Sequence, residues 1–182
     1  KKARRIADDM INLFWDNENG GLFFYGSDHE GLLIRPKEVY DGALPSGNSV
    51  AALQLIRLSR LTGELNYEEK ADGIFKAFAD QVQMYPFGHT YMLQAFLTAR
   101  MGMKEVIVLG EKQDALVEEL QKGFYPEITY LVADEAADME TIAPFASGYE
   151  KKDGKATYFV CENFVCHQPV TEVKEAKKFL GK

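Results

Sequence analysis

Cysteine is scarce: Cys161 and Cys166 are the only two in 182 residues. Two are too few for a disulfide framework, which favours a reducing compartment. Long apolar runs are missing as well. No stretch approaches the roughly 18 apolar residues that cross a bilayer. The charged start Lys1-Lys2-Ala3-Arg4-Arg5 is not followed by the apolar segment of a secretory leader. Positive charge is also short, with 21 Lys+Arg against 28 Asp+Glu for a net charge of −7. Such a balance has no general attraction for nucleic acid or anionic lipid, so neither is expected as a partner and a cytoplasmic location is. The basic cluster at residues 1–5 reads as the solvated start of a helix, because Ile6, Met10 and Phe14 follow at helical spacing. The chain opens inside this helical pattern without an initiator Met, which is the expectation for a piece of a longer protein.

What is present is enough for a packed core: 46% hydrophobic residues, 12% of the chain aromatic. The periodicity changes near Met103. Before it, helices are expected over about 1–15, 48–61, 67–83 and 88–101. A short apolar strand is expected within Asn19–Asp28 and a second at Leu32-Leu33-Ile34. Gly63 suits the left-handed position that closes the 48–61 helix. The 67–83 segment carries one apolar stripe (Ala71, Ile74, Phe75, Phe78, Val82) and reads as half-exposed. The 88–101 segment is apolar around most of its circumference and is expected to be buried on all sides. An outer amphipathic helix followed by an enclosed inner one is the grammar of an α/α toroid. After Met103, Glu105–Gly110 and Ile128–Ala133 read as strands joined by a helix over about 113–122, a βαβ unit. A further strand is expected at Thr157–Cys161, and a last helix over 172–180 with Thr171 as its cap.

Between the early strands and the second helix lies Arg35-Pro36-Lys37-Glu38-Val39-Tyr40-Asp41-Gly42-Ala43-Leu44-Pro45-Ser46-Gly47-Asn48-Ser49. With Gly20-Gly21-Leu22-Phe23-Phe24 before it and Tyr158–Cys166 followed by Pro169-Val170-Thr171 after it, this run resembles the thioredoxin-domain-containing family that includes the spermatogenesis-associated proteins. The resemblance spans essentially the whole chain. It implies an α+β protein: a partial α/α toroid, similar to six-hairpin glycosidases and sugar epimerases, over 1–103, then a small α/β segment over 104–182. It also implies a thioredoxin-like domain elsewhere in the full-length protein, as a partner to this part. Closing a toroid takes about twelve helices, so four leave an apolar edge that predicts self-association or a partner chain. The chain is not expected to be a complete enzyme on its own; in the intact protein a glycosidase- or epimerase-like activity is the implied one.

In a toroid of this kind the 35–49 loop lies at the cavity mouth. Arg35, Tyr40, Ser46, Asn48 and Phe24 then form a set suited to a carbohydrate-like ligand, since polar groups pair with hydroxyls and aromatic faces stack on sugar rings. Asp41, Glu38 and His89 are the candidate acid and base groups, although three-residue spacing in a loop fixes no separation of the kind glycoside hydrolysis needs. A structural reading stands beside this one: Asp41-Gly42 as a turn pair, Ser46 or Asn48 as a helix cap, His89 as a hydrogen-bonded residue. Cys161 and Cys166 are open to redox exchange with the thioredoxin-like part, to a disulfide, or to a role as buried thiols. Zinc would need a second pair of ligands that the sequence lacks, so no metal is expected. No cofactor is expected either, because the turn after Leu109 has one glycine where a dinucleotide loop needs three. Two functions remain open: a sugar-binding toroid part, or a non-catalytic scaffold or interaction module attached to a redox domain.

Overall fold

The computed structural model describes residues 1–29, 34–111 and 114–181. They form two compact units, one of residues Lys1–Ser59 with Glu64–Met101, the other of Arg60–Gly63 with Gly102–Lys182. Together they make a mixed α+β protein of six helices and one four-stranded sheet among the described residues.

The first unit begins with α1 (Lys2–Phe14). Its apolar stripe is only half buried: Ala7 is enclosed while Ile6 stands exposed. A tight turn follows, organised by Asp16, whose Oδ1 accepts the amides of Glu18 (2.9 Å) and Asn19 (3.1 Å). Gly20 closes it at φ +72°, where a Cβ would sit 2.7 Å from the Gly73 carbonyl oxygen. The strand expected within Asn19–Asp28 does not form. Only isolated bridges pair Trp15 with Leu22 and Phe23 with Lys37. The reason is where the backbone groups go: Phe23 and Phe24 donate to the Phe14 and Pro36 carbonyls, and Leu22 bonds the Asn48 side chain. No continuous ladder is left. Of the second expected strand, Leu32 and Leu33 lie outside the described residues, and Ile34 is in no strand.

The next three helices are α2 (Gly47–Thr62), α3 (Leu65–Met84) and α4 (Thr90–Met101). Gly63 takes φ +77° and ends α2, the left-handed closure that its position predicts. On α3, Ala71, Ile74 and Phe78 of the apolar stripe are buried together with Tyr67, which the stripe did not include, while Phe75 and Val82 are only half-buried. The expectation for residues 88–101 is overturned. On α4 only Met92 and Ala95 are buried, while Phe96 is 40% and Leu97 55% exposed. The enclosed helix is α2, whose Ala51, Ala52, Leu53, Leu55 and Ile56 are all buried. Apolarity makes a helix able to be buried; a neighbour on each side makes it so, and α4 packs against α3 and the 3-10 turn Pro86–Gly88.

The second unit is built on β1 (Lys104–Leu109), β2 (Ile128–Ala133), β3 (Thr157–Glu162) and β4 (Val165–Cys166), in the order β2-β1-β3-β4. β1 and β2 are parallel, joined through α5 (Ala115–Lys122), and this is the predicted βαβ unit. Asp114 caps α5 by accepting the Leu116 amide at 2.8 Å; Gln113, where the helix was expected to begin, lies outside the described residues. β3 runs antiparallel to β1, and β4 antiparallel to β3. One face of the sheet (Val106, Val108, Tyr158, Val160) packs on α5 and on α6 (Val173–Leu180). The other (Ile107, Leu109, Phe159) is covered by Ala136, Met139, Ala143 and Ala146 from short 3-10 turns. Alternation along the strands assigns these residues to the two faces. Thr171 does not cap the last helix: α6 starts one residue later, after Glu172, with no side-chain cap bond.

Candidate functional site

The 35–49 loop is held by its own polar side chains. Ser46 caps α2, its Oγ accepting the Ser49 amide at 3.1 Å and donating to Ser49 Oγ at 2.8 Å. Asn48, in the first turn of α2, reaches back to the earlier chain. Its Oδ1 accepts from Leu22 N (2.7 Å), and its Nδ2 donates to the carbonyls of Leu22 (2.9 Å) and Glu38 (2.8 Å). Asp41 ties the loop to α4: Oδ1 accepts the Ser46 amide at 2.9 Å, and Oδ2 accepts those of Tyr91 and Met92 at 2.9 and 3.0 Å. A carboxylate on the open amides of a helix N-terminus is favoured by both the hydrogen bonds and the helix dipole. Arg35 donates to the Tyr25 carbonyl at 2.8 Å, and its guanidinium lies 4.1 Å from the Phe23 ring centroid.

The remaining candidates divide between two places. Phe24, Glu38 and Asn48 line a cleft of about 270 Å³ together with Met10, Phe14 and Phe23. Phe24 is 58% exposed and the Glu38 side chain faces solvent. Tyr40, also exposed, sits edge-on to His89 at 6.4 Å between centroids. His89 is buried and its Nδ1 lies 2.7 Å from the Tyr85 carbonyl. A carbonyl only accepts, so Nδ1 carries the proton.

Sequence reasoning passed over Asp16 and Lys37. Lys37 Nζ lies 2.7 Å from Asp16 Oδ2 and 2.8 Å from the Gly20 carbonyl. That ammonium, with the Glu18 and Asn19 amides, holds the Asp16 carboxyl far below the usual carboxylate range against the opposing effect of its burial. The pairing was findable only as an Asp at a helix end followed by two glycines, a turn signal that says nothing of the lysine.

Cys161 and Cys166 are bonded to each other, and neither is a free thiol. They face each other directly across β3 and β4. The two ends differ: Cys161 is fully buried, whereas Cys166 on the edge strand is exposed. The Tyr149 hydroxyl lies 3.0 Å from Cys166 Sγ and 3.9 Å from Cys161 Sγ; disulfide sulfur carries no hydrogen, so Tyr149 donates. Its ring stacks on Phe159 at 4.2 Å. Also missed in sequence was Glu105, inside an apolar strand pattern. It is 1% exposed and stands opposite Cys161 on β1. Its Oε2 accepts the Phe164 amide at 3.3 Å, and Oε1 has no hydrogen-bond partner among the described residues. Burial pushes its carboxyl up from the ordinary value, with the Phe164 amide and the Arg60 charge opposing. Among the described residues no group of three or more His, Cys, Asp or Glu is placed to hold a metal ion. No helix among them is long and apolar enough to cross a membrane.

Fold and site define a two-unit α+β protein with a backbone-stitched loop in its helical unit and a cross-strand disulfide in its sheet unit. Over 98% of its length the chain is 31% identical to human spermatogenesis-associated protein 20, and covers 24% of that protein. The rat protein of that name is 30% identical over 98% of the chain, with 23% of its own length covered. An uncharacterised protein of Caenorhabditis elegans is 24% identical over the whole chain, with 25% of its own length covered. The chain is thus similar to one part of proteins of that name, and spans about a quarter of the length of the curated relatives it matches. No protein-family model matches it.

Proposed function

We propose that the helical unit is a non-catalytic scaffold and docking unit within a longer protein. The observation that carries this reading is Asp41. Both of its carboxylate oxygens are engaged by backbone amides, so its charge serves the loop and α4, and proton transfer to a bound sugar would have to break that arrangement. Arg35, Ser46 and Asn48 are likewise committed to the chain itself. The docking face is the exposed apolar side of α3 and α4, where Phe75, Val82, Pro86, Leu93 and Phe96 line a groove of about 450 Å³. Its occupant is an apolar helix face from the rest of a relative-length polypeptide, because the relatives are about four times as long as this chain. In such a protein this chain is one part of an α/α toroid, and a thioredoxin-like domain is a further part.

A second reading rests on the cleft at Phe24 and Glu38. A solvent-facing aromatic ring beside an uncommitted carboxylate suits a carbohydrate-like ligand, with Asn48 holding the wall. Titration calorimetry with a panel of hexoses and disaccharides separates the two. Silence with the wild type supports the scaffold. Heat that is lost in Phe24→Ala and Glu38→Gln, both substitutions at exposed side chains, establishes the sugar site and overturns the scaffold reading.

A further inference from the structure

One row of the sheet carries a line of polar and sulfur side chains beside the apolar Ile107, Leu109 and Phe159. In register across the strands stand Thr129 on β2, Glu105 on β1, Cys161 on β3 and Cys166 on β4. Residues directly opposite each other in an antiparallel pair share a face and bring their Cβ atoms to about 5 Å. A buried acid with one unpaired oxygen therefore lies beside the buried end of a disulfide whose other end is open to solvent.

The turn that carries the exposed end is also unusual. Asn163 and Phe164 have φ of +52° and +63°, and a bulky residue there is a steric outlier. Phe164 is held by the Glu105 carboxylate on its amide, by the Phe145 ring at 5.7 Å and by the Arg60 guanidinium at 5.3 Å. Glu105 thus bonds the turn and stands in register with Cys161. The crosslink joins cysteines only five positions apart. A loop that short is the case in which a disulfide restrains the unfolded chain least, so stabilisation is a poor account of it.

We propose that Cys161 and Cys166 form a thiol–disulfide exchange site that accepts electrons from a dithiol, entered at Cys166, with Glu105 supplying the proton that Cys161 takes up. A thiolate of the incoming dithiol attacks Cys166 Sγ. The bond between the two protein sulfurs breaks, and Cys161 leaves with the electron pair. Cys161 has no access to water, so its proton comes from the neighbouring Glu105 carboxyl, whose hold on a proton burial strengthens. Tyr149 donates a hydrogen bond to the sulfurs throughout. The second thiolate of the dithiol then attacks its own sulfur in the mixed disulfide. That bond breaks, Cys166 leaves as a thiolate and takes a proton from water. Two electrons have passed to the protein, the dithiol has become a disulfide, and solvent restores the proton to Glu105 only when the opened crosslink lets the β3–β4 turn, whose Phe164 amide covers its carboxylate, move aside. The charged or titratable groups around Glu105 are Arg60 on α2, Glu162 on β3 and Tyr149.

Dithiothreitol serves as the probe on the purified chain. Reduction is quenched by alkylation, read by mass, and the rate is divided by the thiolate fraction of the probe between about pH 5 and 9. The normalised rate of the wild type is expected to fall by about tenfold or more as Glu105 ionises, and that of Glu105→Gln to be low and flat. Separately, glutathione disulfide is expected to form a mixed disulfide with Cys161→Ser, at the exposed Cys166, and to leave Cys166→Ser unmodified. Superposable normalised profiles for wild type and Glu105→Gln would overturn the proton role. Equal reactivity of the two cysteine variants, or two free thiols in protein purified under air, would overturn the site itself.

Discussion

Replacing Asn48 by alanine removes three hydrogen bonds in one step. Leu22 N–H, the Leu22 carbonyl and the Glu38 carbonyl all lose their partner, and Asn48 itself is buried. Each orphaned group costs on the order of 1 kcal/mol, so the loss should reach about 3 kcal/mol, a large part of the roughly 5–15 kcal/mol by which domains are stable. For a chain of this size that is a fall in melting temperature of about 6–12 °C. Asn48→Asp makes the argument sharper: a carboxylate still accepts from Leu22 N–H but sets a charge against two carbonyls, and should cost at least as much. Trp15, the one tryptophan in the chain, lies in the same unit and reports its unfolding by fluorescence in urea. A shift below about 0.5 kcal/mol for Asn48→Ala, the scale of an ordinary surface change, would refute the reasoning and return Asn48 to the pool of ligand groups.

Asp41→Ala should destabilise by about 1–2 kcal/mol through the open amides at the start of α4, measured by thermal unfolding monitored by circular dichroism. Gly20→Ala should be destabilising by more than about 1 kcal/mol in the same assay, since both its positive φ and the Gly73 carbonyl forbid a Cβ. The Asp16 carboxyl is held low in the folded state, so its contribution is present above its unfolded value near pH 4 and is lost as pH falls further. Urea midpoints measured downward from there should decline, and Asp16→Asn should start lower and decline less. Glu105 has the opposite sign: its folded value is raised, so its contribution is present below about 4.5 and is lost as pH rises. Glu105→Gln should therefore flatten the decline on that side, and an unchanged slope would count against a buried acid.

Much of the sheet unit is legible in the residues. Val106-Ile107-Val108-Leu109 and Ile128-Thr129-Tyr130-Leu131 are β-branched runs of strand length, and the amphipathic segment between them is a crossover helix. β4 was not legible, because two residues have no period; its pairing exists only because Asn163 and Phe164 turn the chain back on β3. The loop residues were visible as polar groups, but their partners were not. A carboxylate that binds a sugar and one that binds backbone amides are the same residue type, and the amides of Tyr91 and Met92 are fifty positions away from Asp41.

Sequence by itself determined local matters: the places of the helices, the strands of the βαβ unit, the closure at Gly63, the centre of the buried face of α3 at Ala71, Ile74 and Phe78. These depend on side-chain period and on backbone sterics within a few residues. Tertiary structure alone decided which helix is enclosed, which carboxylates are consumed, and that Glu105 stands against Cys161. Burial and pairing are properties of neighbours brought from far along the chain, and no local period encodes which neighbour arrives.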